Sequence, residues 1–229
     1  MHGTRRRFLA GSTAVAGTLV AGCLGGGSGD ENGENGGQTL DSHPAAQGLD
    51  SQPHLGPAPG EATGTIVAFE DPSCPRCQTF EEQTVPKIRS ELVDPGDATF
   101  VFRGYPIIYE WGKPATRALE ATYARSADAH WALVDHYFAE QDGFRSAGRD
   151  AVLDRTREFL SAQTSVDADA VVTAVENGDA ESAVQTDLDA GEAVGASATP
   201  AVYLFRDGQY RTSYSGSVGF DAVRSTLGL

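Results

Sequence analysis

Apolar positions along this chain follow two periods. Residues 65–69 (TIVAF) form a short unbroken run with β-branched members, which predicts a strand buried on both faces. Behind it, Phe80, Val85, Ile88 and Leu92 recur at helical spacing, with Pro75 suited to a first helical turn. Pro86 interrupts that stripe and predicts a kink. Asp94-Pro95-Gly96 marks a turn before a second strand near 98–104, so the order strand, helix, strand predicts a parallel βαβ unit with a right-handed crossover. Towards the C-terminus, 201–205 and 209–215 read as strands around a tight Asp207-Gly208 turn, and 220–227 as a short closing helix. The roughly 95 residues between the two strand regions exceed what one crossover helix needs. Their pattern is helical over 115–127, 128–141, 150–162, 168–176 and 180–190, which predicts an all-helical insertion at about 110–195 within an α/β sheet.

The N-terminal region reads differently. Arg5-Arg6-Arg7 precede a mildly apolar stretch, Phe8 to Val20, diluted by Gly11, Ser12, Thr13 and Gly17. It falls short of the ~18 strongly apolar residues a membrane span requires. The paired arginines before Phe8-Leu9 resemble a twin-arginine export signal, and LVAGC at 19–23 resembles a lipoprotein processing site that would lipidate Cys23. The expectation is a signal over 1–22 and a chain anchored through Cys23 at the outer face of the cytoplasmic membrane. Residues 23–58, rich in Gly, Ser, Asn, Asp and Pro, predict a flexible polar tether in which His43 and His54 are solvated; the folded domain is expected over 59–229.

Charge narrows the partners. The chain holds 17 basic and 32 acidic residues, a net charge of −15; without 1–22, which contains three arginines and no acid, it is 14 − 32 = −18. That balance excludes nucleic acid as a partner class. Only Lys87 and Lys113 are lysines, and so acid-rich and lysine-poor a composition resembles that of proteins from high-salt environments.

The candidate chemistry lies in Ser73-Cys74-Pro75-Arg76-Cys77, between the first strand and its helix. A sulfur at a helix start meets unsatisfied backbone N–H groups and the positive end of the helix dipole, which favour thiolate over thiol. Cys74 is therefore the candidate nucleophile. Cys77, one turn further in and less exposed, suits a resolving partner, and C-x-x-C spacing brings the two sulfurs within bonding distance. Pro75 pre-sets helical backbone, and Arg76 puts a permanent charge within reach of Cys74. A Cys74 pKa near 5 would stabilise the reduced form by about 2.7 kcal/mol at pH 7, roughly 60 mV towards oxidising behaviour. Other uses of the motif compete. Structural zinc needs two further ligands, and His130 and His136, six apart, do not share a helical face. Copper(I) suits a C-x-x-C plus one histidine, although the chain beyond Met1 has no methionine. An inert disulfide closing so short a loop restrains little chain entropy. No metal or other cofactor is expected. A second candidate is Thr199-Pro200, just before a strand. A cis peptide there would free Thr199 backbone groups for an extended substrate, and a trans proline at a strand start is equally compatible with the sequence.

Taken together, FEDPSCPRCQTFEEQTVPKIRSEL, ATFVFRGYPII and VGASATPAVYLFRDGQ resemble the DsbA-like branch of the thioredoxin superfamily over about residues 63–229. The resemblance implies a thioredoxin fold with an inserted helical subdomain, exchange at Cys74, resolution by Cys77, and Thr199-Pro200 as a cis-proline loop facing them. It further implies donation of a Cys74-Cys77 disulfide to reduced exported proteins, with an electron acceptor to reoxidise the dithiol. A reductase or isomerase is the alternative within this chemistry, a copper-binding module the alternative outside it. Two positions depart from the family pattern. Ala68 stands where many relatives carry a buried acid six residues before the first cysteine, which leaves the proton route open between Glu70 and Asp71, and Arg76 replaces a titratable histidine.

Overall fold

The computed structural model describes residues 37–229; the predicted signal over 1–22, Cys23 and residues 24–36 lie outside the described residues. Five strands, β1 (His54–Leu55), β2 (Gly64–Glu70), β3 (Ala98–Gly104), β4 (Ala201–Arg206) and β5 (Gln209–Ser215), form one sheet in the order β1-β3-β2-β4-β5. β2 runs parallel to β3, from Gly64 opposite Ala98 to Glu70 opposite Gly104, and antiparallel to β4, with Phe69 opposite Ala201. The crossover from β2 to β3 is made by α1 (Pro75–Gln83), α2 (Val85–Ile88) and a π-helical turn, Arg89–Val93. The break between α1 and α2 comes at Thr84, just before Pro86, which has no N–H to continue the ladder.

Between β3 and β4 lie α3 (Gly112–Tyr123), α4 (Ala127–Ala139), α5 (Gln141–Ala147), α6 (Val152–Gln163), α7 (Ala168–Asn177) and α8 (Glu181–Ala193), and α9 (Phe220–Leu227) ends the chain. Among the described residues no helix is long and apolar enough to cross a membrane. Strand alternation divides the sheet between two cores. Ile66, Ala68, Phe100, Phe102, Val202 and Leu204 face α1, α9 and the helical insertion. Val67, Phe69, Val101, Tyr203 and Phe205 face the other way, against Ala190 of α8 and the N-terminal residues Leu40, Ala45 and Leu49.

Those N-terminal residues correct the tether expected over 23–58. From Thr39 onward the chain is folded: 3-10 turns at Leu40–Ser42, Pro44–Ala46 and Leu49–Ser51 lead into β1, which pairs antiparallel with β3. The reason lies in β2. A strand buried on both faces needs a second cover, and α8 alone leaves part of the odd-numbered face open. Leu40, Ala45 and Leu49 fill it, and burying each leucine stabilises the fold by roughly 2 kcal/mol. Arg103, fully buried on the same face, donates to Asp187 Oδ1 of α8 at 2.9 Å and to the Ala45 carbonyl at 2.7 Å, so the segment is also held by a charged donor. His43, expected in solvent, is 4% exposed and stacks on Tyr210 with ring centroids 4.6 Å apart. His54 is half-buried, with Nδ1 3.1 Å from the Gln52 carbonyl.

Candidate active site

β2 carries the chain from the sheet to the redox turn. After Glu70 it leaves the ladder, and Cys74 becomes the N-cap of α1, with Pro75 at the first helical position. The Cys74 N–H donates to the Asp71 carbonyl at 2.9 Å, and the Cys74 carbonyl accepts the first helical bond from Gln78 N at 3.0 Å. Ser73 N and Oγ both donate to Asp71 Oδ1, at 2.7 and 2.6 Å. Asp71 Oδ2 accepts from Ile108 N at 2.7 Å, and Ser73 Oγ accepts from Tyr109 N at 3.0 Å. The loop between β3 and α3 is thereby fixed beside the first cysteine. It presents Ile107, Ile108 and Tyr109, 42, 38 and 44% exposed, the exposed large apolar side chains among the described residues.

Cys74 and Cys77 are free thiols, both buried. The Cys74 pKa is lowered from an ordinary 9.0 to about 5, chiefly by a hydrogen bond from the Cys77 thiol, then by Thr199 and the backbone N–H groups of Cys77 and Arg76; burial works against them. The Cys74 thiol donates to the Thr199 carbonyl at 3.3 Å, a contact that belongs to the protonated form. The Thr199 hydroxyl is buried with no other partner, free to donate to the anion. Burial, the Cys74 hydrogen bond and the Glu70 charge push Cys77 well above its ordinary value, so the two sulfurs titrate far apart. Asp71 N lies 3.5 Å from Cys77 Sγ. Thr199-Pro200 is a cis peptide, and both residues are buried. The structure thus brings four expected residues, Cys74, Cys77, Thr199 and Pro200, into one site.

Two expectations need adjusting. Arg76 is exposed, and its Nη1 would lie 3.7 Å from a Cβ on Gly216, so its side chain turns towards the end of β5. Its backbone N–H is among the groups that stabilise the Cys74 thiolate. Cys74 is also more covered than a helix-start sulfur was expected to be, at 2% exposure, because the Thr199 segment lies across it.

The acid beneath the cysteines is Glu70. It shares the even-numbered face of β2 with Ile66 and Ala68, is fully buried, and lies under α1, whose Glu81 faces it from one turn beyond Cys77. Neither oxygen of Glu70 meets a fixed donor, so a proton shared with Glu81 is what joins the two carboxyls. Burial, then the Glu81 charge, raises Glu70 well above 4.5, and burial raises Glu81 to about 7 against the pull of Arg89. Arg89 in turn pairs with Asp135 of α4 at 3.1 Å, in a partly exposed contact. Glu70 thus carries the buried carboxyl on the face that Ala68 shares. Sequence reasoning named Glu70 without fixing its direction and missed Glu81, since the pairing depends on how α1 packs on β2.

Among the described residues no group of three or more His, Cys, Asp and Glu side chains is placed to hold a metal ion. His130 is buried with Nδ1 3.1 Å from the Leu119 carbonyl, and His136 stacks on Phe159 with ring centroids 4.0 Å apart; neither reaches the cysteines.

Comparison with known proteins places this site in context. A probable disulfide bond formation protein D of Bacillus cereus is 25% identical over 146 residues, which are 63% of this chain and 66%, just under two thirds, of that relative. The crystal structure of oxidised BdbD from Bacillus subtilis superposes with a TM-score of 0.69 at 22% identity, covering 79% of this chain and 92% of that one. Wolbachia pipientis alpha-DsbA1 gives 0.64 at 18% identity, covering 77% and 89%. These likenesses establish the fold, a thioredoxin-like sheet with an inserted helical subdomain. A family model described as Thioredoxin matches residues 51–215, well over half of the chain, and the chain belongs to the thioredoxin family.

Proposed function

We propose that the protein is an extracytoplasmic thiol-disulfide oxidoreductase that donates a Cys74-Cys77 disulfide to reduced, unfolded exported proteins. The observation that carries this reading is the asymmetric placement of the two sulfurs at one helix start. Cys74 caps α1 with its sulfur 3.3 Å from the Thr199 carbonyl before the cis proline, while Cys77 is fully buried one turn in, so that the first is lowered to about 5 and the second raised well above an ordinary thiol. The name of the Bacillus cereus relative, a disulfide bond formation protein, supports the same chemistry.

In this reading a substrate thiolate attacks Cys74 Sγ of the oxidised protein. The Cys74-Cys77 bond breaks, its electron pair goes to Cys77, and a Cys74–substrate disulfide forms. Cys77 is a poor leaving group unless protonated, and Glu70, held neutral by burial, supplies that proton. A second substrate thiolate then attacks the substrate sulfur of the mixed disulfide and Cys74 departs as a stable thiolate. The substrate dithiol has become a disulfide, and the protein has gained the two electrons. A separate electron acceptor restores the protein disulfide, and no other cofactor takes part. Ile107, Ile108 and Tyr109 give an unfolded chain an apolar surface beside the thiol, and the Thr199-Pro200 segment lies on its other side.

Export through the signal over 1–22 and anchoring through lipidated Cys23 would put this site outside the cytoplasmic membrane, where disulfides persist. The deciding measurement is the reduction potential of the Cys74-Cys77 couple against glutathione. A value near about −120 mV supports disulfide donation; one near roughly −270 mV would replace the donor by a reductase. Cys74→Ser is expected to abolish oxidation of a reduced unfolded substrate.

A further inference from the structure

One side chain of the helical insertion bonds the backbone of the redox turn. Gln141, the first residue of α5, is 2% exposed, and its Nε2 donates to the Pro72 carbonyl at 2.9 Å and to the Cys74 carbonyl at 3.0 Å. Both amide hydrogens are therefore used, one on each side of Ser73. A reciprocal bond runs the other way: Gln78 Nε2, one turn into α1, donates to the Phe138 carbonyl at the end of α4 at 2.9 Å. The corner between α4 and α5 thus grips the start of α1 at two points, and only the Gln141 pair acts on the cysteine's own backbone.

What that backbone must do is strict. The groups that favour the Cys74 thiolate are the Cys77 thiol, Thr199 and two backbone N–H groups at the helix start, and each acts only if Cys74 Sγ sits where they converge. Asp71 and Gln78 fix Cys74 from within the turn and the helix, whereas Gln141 fixes it from a separate subdomain. We infer that Gln141 is a positioning residue for the redox sulfur. Its amide holds the Pro72–Cys74 carbonyls so that the thiolate-stabilising donors stay aimed, and the insertion thereby sets the reactivity of the site. The inference rests on the reading of Cys74 as the exchanging thiol.

Two variants of the full chain test it, with Cys74 titrated through the pH dependence of its alkylation by iodoacetamide, which needs no protein substrate. Gln141→Met keeps the side chain's length and removes both donors; it should raise the Cys74 pKa by about one unit, on the order of what one neighbouring donor contributes. The exchange equilibrium with glutathione should move about tenfold towards the disulfide, which for two electrons is about 30 mV. Gln78→Met removes the reciprocal bond; it should lower the melting temperature and leave the Cys74 titration unchanged. If Gln141→Met does not fold, Gln141→Asn, which keeps the amide on a shorter arm, should still raise the pKa. A folded Gln141 variant that titrates as wild type overturns the inference, as does an equal rise in Gln78→Met. If the wild-type chain titrates as expected and fails to oxidise a reduced substrate, the functional reading falls and the positioning role stands.

Discussion

Replacing Glu81 by Gln isolates the cost of keeping two carboxyls under the cysteines. In the folded chain burial holds the Glu81 pKa at about 7, against 4.5 for an ordinary glutamate. The groups around it are Glu70 of β2, Arg89 of the π-helical turn and Asp135 of α4. Below pH 4.5 folded and unfolded chains both carry the proton, and Glu81 does not oppose folding. Between 4.5 and 7 the unfolded chain releases its proton first, and each pH unit removes about 1.36 kcal/mol of stability. Over that interval of 2.5 units, a total of about 3 kcal/mol is lost by pH 8. Gln does not ionise and fills nearly the same volume. Urea unfolding of Glu81→Gln should therefore match wild type near pH 4 and exceed it by about 3 kcal/mol at pH 8, with the difference opening through the window between. A difference that stays flat with pH, or a variant less stable than wild type at pH 8, would refute the assignment of a raised, proton-sharing Glu81.

Other consequences follow from the same geometry. Thr199→Val removes the hydroxyl that is free to donate to the Cys74 thiolate, and should raise the Cys74 pKa from about 5 by roughly one unit, read from iodoacetamide alkylation rates between pH 4 and 8. Alkylation at pH 8 should change little, since both proteins are then fully in the thiolate form. Ile107→Ser with Ile108→Ser should raise KM for a reduced unfolded protein roughly tenfold, given about 1 to 2 kcal/mol for losing two half-exposed apolar contacts, and leave exchange with glutathione unaltered.

Much of this architecture is legible in residue order. The run at 65–69, the alternation across Asp207-Gly208 and the stripe ending at Leu227 are local patterns, and the elements formed there follow them. The redox turn is equally local, because a C-x-x-C behind Pro75 carries its own helix start. The N-terminal cover is not. Leu40, Ala45 and Leu49 are spaced too widely for any regular period, and the demand they answer, the second face of β2, arises in another part of the chain. Glu81 and Gln141 are hidden for a related reason: each is an ordinary helical residue until α1 packs on the sheet and α4 packs on α1, which brings the start of α5 to the redox turn. Arg76 is a further case, since its guanidinium lies beside Gly216 after β5, a neighbour that residue order does not give.

The route by which the N-terminal segment joins the sheet also has a mechanical consequence. Leu40 N and Tyr210 N exchange hydrogen bonds with Gly208 and Gln38 at the hairpin between β4 and β5, whereas Thr199 precedes the opposite end of β4, a six-residue strand about 20 Å long. Anything that grips the chain upstream of Gln38 pulls on the pole remote from the sulfurs. A label or support coupled to that segment would therefore sit a strand's length from the redox turn.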